Sequence, residues 1–180
     1  MVDMKAVFDF ALKAHEGQKR KYTGEDYIVH PMAVCRIVAQ HGGSMEQQAA
    51  ALLHDVVEDC DRTIDDIRQF GDEVTELVEW LTDTSKASDG NRAVRKGIDR
   101  QRLSEATAEA QFVKLADMID NSESIFLLDK SFAPTFQSEM AQLVEAMTKV
   151  VGSSLWLEAK KVLREGPIEK EDYSLRRSEV

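Results

Sequence analysis

The chain has 180 residues, enough for one domain with a sizeable hydrophobic core. Apolar residues make up 43% of the sequence and charged residues 31%, which is typical of a folded globular protein and excludes a disordered chain. The formal net charge of −10 disfavours broad binding to nucleic acid or to anionic membranes, and no apolar run approaches the roughly 20 residues that span a bilayer. A phosphorylated ligand would therefore need a local basic patch.

Helix signals recur along the first half of the chain. An apolar stripe with helical spacing predicts the first helix, and residues 17–29, which include a basic run at 19–21, break that period and read as a loop. Pro31 suits a first helical position, Ser44 can cap the following helix, and Thr63 with Asp66 resembles a capping box. The predicted helices of this half cover residues 7–14, 31–40, 45–59, 64–70 and 72–82.

The second half continues in the same way after a loop at residues 83–91. It predicts helices over residues 92–104, 107–128 and 134–163, the last of them divided near residues 152–154. Strand signals are nearly absent and no internal repeat is visible. The sequence therefore predicts an all-α fold, a compact single-domain helical bundle over residues 1–166, followed by a charged C-terminal tail at 167–180.

The N-terminus and the cysteines favour a cytoplasmic protein. Charges interrupt the apolar positions of the first 18 residues, which therefore lack the continuous apolar core of a signal peptide. Cys35 and Cys60 have no spacing typical of a metal site or a disulfide framework, so we expect two reduced thiols.

The segment LLHDVVEDCD, residues 52–61, is the most informative part of the sequence. If it forms one helix, Glu58 lies about 40° from His54, Asp55 about 100° and Asp59 about 140°. Three neighbouring carboxylates repel one another, and a divalent cation is one reason to place them together. The alternative is a solvated acidic face at the end of a helix.

Two other residues bear on this choice. His30 lies at a loop-to-helix junction, where a fixed backbone can direct its ring inward, although capping or surface packing would also explain it. Asp117 interrupts an apolar helix face, and Lys114 is its ordinary partner. Two imidazoles and two carboxylates from residues 30, 54, 55 and 117 would suit Mn²⁺, Fe²⁺ or Zn²⁺ with positions left for water and substrate. The spacing leaves open whether the four converge.

The order His30, then His54-Asp55, then Asp117 resembles the H…HD…D signature of the HD superfamily, whose members are helical metal-dependent phosphohydrolases. The chain resembles most closely the hydrolase domain of RelA/SpoT-type proteins and, by length, the small alarmone hydrolases. The matching pieces span residues 14–121 and read AHEGQKRK, YIVHPMAV, AALLHDVVED, FGDEVTELV, LTDTSK and VKLADMIDN.

The resemblance implies roles for the matched positions. One ion, typically Mn²⁺, is expected on four ligands, which are His30, His54, Asp55 and Asp117. The acidic pair that orients and activates the attacking water is expected at Glu58 and Asp59. The nucleotide's base, phosphates and ribose are expected near a set of polar residues, which are Arg20, Lys21, Asn121 and, by position, Ser124.

One departure from the family pattern bears on the substrate. Many relatives carry an arginine directly after the fourth ligand and another two residues after the asparagine, where this chain has Met118 and Glu123. Arg92 and the Arg95-Lys96 pair are candidates to supply compensating positive charge from the neighbouring helix.

The activity implied by the resemblance is removal of the 3′-pyrophosphate from guanosine tetra- or pentaphosphate (ppGpp, pppGpp), giving GDP or GTP and pyrophosphate. Three alternatives stay open at this point: an adenosine alarmone hydrolase, an HD 5′-nucleotidase or triphosphohydrolase, and a non-catalytic nucleotide-binding module. The expected partner is a phosphorylated nucleotide, with no nucleic acid and no membrane. The oligomeric state is not readable from the sequence.

Overall fold

The computed structural model describes residues 2–166, so the predicted tail at 167–180 lies outside the described residues. The described chain is built from α-helices, which confirms the all-α prediction. In chain order they are α1 (Met4–Ala14), α2 (Val29–Gln40), α3 (Met45–Leu53), α4 (Val56–Asp59), α5 (Ile64–Ile67), α6 (Asp72–Leu81), α7 (Arg92–Glu105), α8 (Ala108–Leu128), α9 (Ala133–Ala146) and α10 (Ser154–Glu165). Short 3-10 turns cover Arg68–Phe70, Ala87–Asp89 and Thr148–Val150.

Helix α8 is the centre of the bundle. It has 21 residues and packs against α2, α3, α6, α9 and α10. Helix α3 lies beside α2, and all of residues 49–53 are buried. By contrast, α7 buries only Asp99 and Leu103 and contacts chiefly α9, so it forms one wall of a cleft rather than part of the core.

The helix starts and stops follow the local signals closely. Ser44 caps α3 in a capping box with Gln47, and the predicted capping box of Thr63 with Asp66 opens α5. The predicted division of the last helix is present, because Ser153 caps α10 directly after Gly152, whose φ of +84° suits glycine. An additional break that the sequence did not predict ends α9 at Ala146.

The predicted helix over residues 45–59 is wrong in one detail that matters for the site. It is interrupted at His54 and Asp55, because the ψ of −6° at Asp55 leaves the regular helix before α4 begins at Val56. The His54 ring bonds to the carbonyl of Ala51, at 2.8 Å, which satisfies one of the carbonyls left open where α3 ends.

The start of α2 also differs from the expectation. The helix begins at Val29, two residues before Pro31, and so places His30 in its first turn with the ring 1% exposed. Among the helices of residues 2–166, none has the length and apolar character that crossing a bilayer requires.

Candidate metal centre

The four predicted ligands come from three places in the fold and meet at one point. His30 lies on α2, His54 and Asp55 on the turn between α3 and α4, and Asp117 near the middle of α8. The Nε2 of His30 is 3.2 Å from Oδ1 of Asp117 and 3.5 Å from Oδ2 of Asp55. The Nε2 of His54 is 3.2 Å from the same Asp55 oxygen and 3.6 Å from the same Asp117 oxygen. Two ring nitrogens and two carboxylate oxygens therefore face one another.

Each imidazole has its second nitrogen occupied. Nδ1 of His30 is 2.6 Å from Oδ2 of Asp120, and Nδ1 of His54 is 2.8 Å from the carbonyl oxygen of Ala51. An Nδ1–H that donates to these acceptors leaves the lone pair on Nε2, and Nε2 is the atom that points to the centre in both rings. The tautomers follow from these partners.

These residues fit a divalent cation. Ligands at about 2.0–2.1 Å around one tetrahedral ion are about 3.3–3.4 Å apart, close to the 3.2–3.6 Å between these imidazole and carboxylate atoms. His54 Nε2 is buried and has no hydrogen-bond partner among residues 2–166, which is costly unless something else occupies its lone pair. Ligand atoms of His30, His54 and Asp117 all lie within 4.8 Å of one another, and Asp55 joins them through its contacts with both rings.

The electrostatics of the centre point the same way. Burial lowers the pKa of His54, but the charge of Asp55 and the nearby Asp117 carboxylate outweigh it and raise that pKa well above its ordinary value. The pKa of His30 is also raised, against its burial, by hydrogen bonds to Asp117 and Asp120. The two rings thus attract a positive charge at this point, which is either a proton or a cation, and cation binding there releases protons.

Asp117 is held from two sides along α8. Its Oδ2 pairs with Lys114 at 2.8 Å, the ordinary partner expected from the sequence, and its Oδ1 accepts a hydrogen bond from Asn121 Nδ2 at 2.6 Å. Burial raises the pKa of Asp117, but the charge of Lys114 outweighs it and keeps that pKa well below the usual range. The carboxylate therefore stays ionised with one oxygen directed at the imidazoles.

The acidic pair on α4 flanks the centre. Glu58 Oε1 accepts a hydrogen bond from the backbone N–H of Asp83, and Asp59 Oδ2 accepts one from the Tyr27 hydroxyl at 3.2 Å. Although Glu58 is exposed, it lines a cleft of about 370 Å³, where partial burial and then the charge of Asp83 raise its pKa to about 7. A carboxyl group with this pKa can take up and release a proton near neutral pH.

The predicted nucleotide residues divide into two groups in the structure. Arg20 is buried against α8, within hydrogen-bond distance of Asn121, Asp120 and Ser124. Lys21 is exposed, and its ammonium contacts the Tyr22 hydroxyl at 3.1 Å and an Asp129 oxygen at 3.8 Å. Asp129 is twelve residues beyond Asp117, about 18 Å along the helix. The structure therefore brings Arg20, Asn121 and Ser124 to the centre and leaves Lys21 at the end of α8.

A cavity of about 180 Å³ opens on the other side of Asp117, between α7, α8 and α9. Met118, at the first of the two departures from the family pattern, lines it. Arg92 and Lys96 also line it, each in an ion pair, with Glu139 and Asp83 respectively. Two of the basic side chains expected on the neighbouring helix therefore line the same cavity as Asp117, each paired with a carboxylate.

Two residues of the centre were missed by sequence reasoning. Asp120 lies one helical turn after Asp117 on the same face of α8, and that spacing was a usable signal. Tyr27 donates its hydroxyl to Asp55 Oδ2 at 2.7 Å. Burial and the charge of Asp55 raise the pKa of this hydroxyl, so it stays protonated as a donor. No signal in the sequence linked Tyr27 to Asp55, since 28 positions separate them.

Comparison with known proteins agrees with this geometry. A family model described as "HD domain" matches residues 7–125. A Vibrio cholerae protein named guanosine-3′,5′-bis(diphosphate) 3′-pyrophosphohydrolase is 39% identical over 119 residues, which are 64% of this chain and 17% of that protein. The human protein of that name, MESH1, is 38% identical over 117 residues, which are 63% of this chain and 64% of that protein.

A solved structure extends the likeness to the fold. It is described as a metazoan ortholog of SpoT that hydrolyses ppGpp, and it matches with a TM-score of 0.79 at 24% identity over 89% of this chain and 93% of its own. Because the family model covers more than half of the sequence, the chain belongs to the HD domain family. The names of the Vibrio cholerae and human relatives confirm the resemblance to the RelA/SpoT type, although the chain spans only 17% of the Vibrio cholerae protein.

Proposed function

We propose that the protein is a divalent-metal-dependent hydrolase that removes the 3′-pyrophosphate from guanosine tetra- or pentaphosphate. The observation that carries the proposal is the convergence of two imidazole Nε2 atoms and two carboxylates on one point. The names of the Vibrio cholerae and human relatives support the choice of substrate. The proposed compartment is the cytoplasm, and the proposed catalytic domain covers residues 1–166.

The proposed ligands are His30, His54, Asp55 and Asp117, and the proposed ion is Mn²⁺. Mixed imidazole and carboxylate ligands suit Mn²⁺ and also Fe²⁺ or Zn²⁺. A cation bound there would supply Lewis acidity to a phosphoryl oxygen and to the attacking water. The protein's own contribution is to hold the ligands ionised and oriented before substrate arrives, through Asp120, Tyr27 and the Ala51 carbonyl.

The proposed proton acceptor is Glu58. The water oxygen forms a bond to the phosphorus attached to the ribose 3′-oxygen, its proton passes to the Glu58 carboxylate, and the bond from phosphorus to the 3′-oxygen breaks. The 3′-oxygen then takes a proton, returned from the Glu58 carboxyl directly or through water, and becomes a hydroxyl. The hydrogen bond from the Asp83 N–H fixes one oxygen of Glu58, which leaves the other for the proton. Asp59, next to Tyr27, is proposed to orient the water.

The nucleoside is proposed to lie along the second half of α8. Arg20, Asn121 and Ser124 form one connected group beside Asp117, and they offer donors for the base, ribose and phosphates. Lys21, at the exposed end of the same loop, is proposed to contact the outermost phosphates. Arg92 and Lys96, across Asp117, provide positive charge for the leaving pyrophosphate if each exchanges its present carboxylate partner for the ligand.

Turnover of guanosine tetraphosphate with added Mn²⁺ tests the proposal, with products resolved by anion-exchange chromatography. The expected result is formation of GDP and pyrophosphate, which stops when the metal is chelated and resumes when Mn²⁺ is added. Release of inorganic phosphate from the 5′ end would overturn the assignment in favour of a 5′-nucleotidase. Turnover of the adenosine counterpart alone would support the proposed reaction but show that the preferred base is adenine rather than guanine. Retained metal without turnover of any nucleotide would indicate a binding module.

A further inference from the structure

Arg20 is enclosed but only loosely held. The residue is 8% exposed, and its guanidinium nitrogens lie 3.3 Å from Asn121 Oδ1, 3.4 Å from Asp120 Oδ2 and 3.5 Å from Ser124 Oγ. Hydrogen bonds from N–H to oxygen are commonest near about 2.9–3.0 Å, so all three contacts are long. The guanidinium, which also lies 6.0 Å from the Tyr27 ring centroid, gains shorter, charge-assisted hydrogen bonds if it moves to an anionic group.

One of these contacts shares its acceptor with the proposed metal site. Oδ2 of Asp120 is 3.4 Å from Arg20 Nη2 and only 2.6 Å from Nδ1 of His30. Asp120 is 2% exposed, so solvent does little to screen its charge from either donor. A single carboxylate oxygen is thus the acceptor for two donors, the Arg20 guanidinium and the Nδ1–H of the imidazole that faces the proposed metal centre.

We propose that Asp120 is a positioning residue that couples Arg20 to the proposed metal ligand His30. When an anionic ligand draws the guanidinium away, Asp120 Oδ2 loses that contact, and its charge acts more strongly on the His30 Nδ1–H. This makes Nε2 a better electron donor, and a cation at the centre is held more tightly. By linkage, a bound cation favours the outward position of Arg20 by the same factor.

The coupling rests on the proposed function for the identity of the anionic ligand, but the link between Arg20 and the cation can be measured without any nucleotide. The test is a double-mutant cycle in which Mn²⁺ is titrated calorimetrically into the metal-free protein. The four proteins are the wild type, Arg20→Gln, Asp120→Asn and the double variant. Because the titration contains no substrate, its result is separate from that of the turnover assay.

We expect Asp120→Asn to weaken Mn²⁺ binding about tenfold, the lower end of what loss of such a supporting hydrogen bond costs. Arg20→Gln should strengthen Mn²⁺ binding about threefold in the wild-type background, in line with measured coupling between contacting residues, and leave it unchanged in the Asp120→Asn background. An equal effect of Arg20→Gln in both backgrounds would overturn the proposal, because Arg20 would then act on the cation through space.

Lys19→Gln is the matched control, since it removes one positive charge from the same loop at an exposed residue that pairs with Asp26. It should leave Mn²⁺ affinity unchanged. If Asp120→Asn does not fold, proton NMR of the wild type and Arg20→Gln decides the matter instead. A stronger hydrogen bond should move the His30 Nδ1 proton downfield in Arg20→Gln, and an unchanged resonance would overturn the proposal. If the double-mutant cycle is non-additive but the alarmone is not turned over, the coupling between Arg20 and the cation stands and the proposed substrate is wrong.

Discussion

The two halves of α8 bury polar side chains for different purposes. In the first half, Gln111 is fully buried, and its amide bonds to the carbonyls of Leu103 and Ser104 and to the N–H of Lys149. In the second half, a stripe of polar residues, buried except for the half-buried Asn121, lies on the side of the proposed metal centre. Its members are spaced by three, four and seven residues from the first; they are Asp117, Asp120, Asn121 and Ser124. The first half forms neutral hydrogen bonds to carbonyls in the last turn of α7, whereas the second half carries the charged side chains of Asp117 and Asp120.

The two halves differ in how many of their buried polar atoms have a hydrogen-bond partner. Gln111 has a partner for its oxygen and for its nitrogen, all of them backbone groups, so nothing further is needed there. At the other end, two histidines and two aspartates face one another, and within the described part of the chain His54 Nε2 has no hydrogen-bond partner. A buried polar cluster that its own members leave incomplete is a place for a ligand, whereas a completed one is part of the scaffold.

The largest expected effect is at Asp117. Asp117→Ala should abolish Mn²⁺ binding and lower turnover by more than about 10⁴-fold, the upper end of what loss of a general base alone costs, because the Lewis acidity of the metal is lost with its ligand. Ser122→Ala is the control, because Ser122 is equally buried on α8 but bonds only to the Ile119 carbonyl. Calorimetric Mn²⁺ titration and the alarmone assay measure both effects. Asp117→Ala with normal metal affinity would contradict the proposed centre.

Glu58 should separate proton transfer from metal binding. Glu58→Gln should keep Mn²⁺ affinity but lose about 10²–10⁴ in rate, the usual contribution of a general base. Because the pKa of Glu58 is raised to about 7 and the base works as its carboxylate, the wild-type rate should rise with pH through about 7 and level off above it. The variant should lack this rise, as a pH profile of the residual turnover would show.

The stability of the same variant provides its control. The folded-state pKa of Glu58 lies above its unfolded value, so the ionised carboxylate disfavours the folded state, and this cost grows as pH rises through about 7. Glu58→Gln should therefore melt no lower than the wild type at pH 8. A lower melting temperature together with loss of bound Mn²⁺ would mean that Glu58 holds the site together, and the division between ligand and proton acceptor would be wrong.

Gln111 tests the scaffold half. Gln111→Ala leaves two carbonyls and one N–H without their partner and opens a cavity, so the free energy of unfolding should fall by about 2–4 kcal/mol. At a temperature where the variant stays folded, turnover and Mn²⁺ affinity should match the wild type. Urea unfolding followed by circular dichroism measures the first quantity. A large loss of metal affinity in the folded variant would show that the two halves of α8 are not independent.

Much of the fold could be predicted because its signals are local. Apolar periodicity predicted the helices, the residues that cap α3 and α5 stand where the sequence predicted them, and the last helix divides near the predicted residues 152–154. The break at His54 and Asp55 could not be predicted, because LLHDVVED is a good helical sequence throughout. Contacts across the bundle, to Tyr27, to His30 on α2 and to Asp117 on α8, accompany the change of backbone there.

For the site, too, local signals could be read from the sequence and tertiary contacts could not. Periodicity could not show that residues 30, 54, 55 and 117 converge; the family pattern indicated it, and the structure brings the four side chains together. The residues that hold those four side chains in place were harder to predict from the sequence. Tyr27 reaches Asp55 across 28 positions, and Asp120 reaches His30 across 90, so their contacts depend on tertiary packing. The inward position of Arg20 has the same origin, since its acceptors all lie on α8.

The smallest expected effect concerns Tyr27, at the edge of the charged half. Its hydroxyl donates to Asp55 Oδ2 at 2.7 Å, and Tyr27→Phe removes that hydrogen bond while keeping the ring that packs on His15 and His30. A carboxylate ligand without this support is less well oriented, so Mn²⁺ affinity should fall about tenfold. Tyr22→Phe is the matched control, because the Tyr22 hydroxyl also donates to a carboxylate, that of Asp129, away from the centre. Equal losses in the two variants would show that the tyrosines stabilise the loop rather than the metal site.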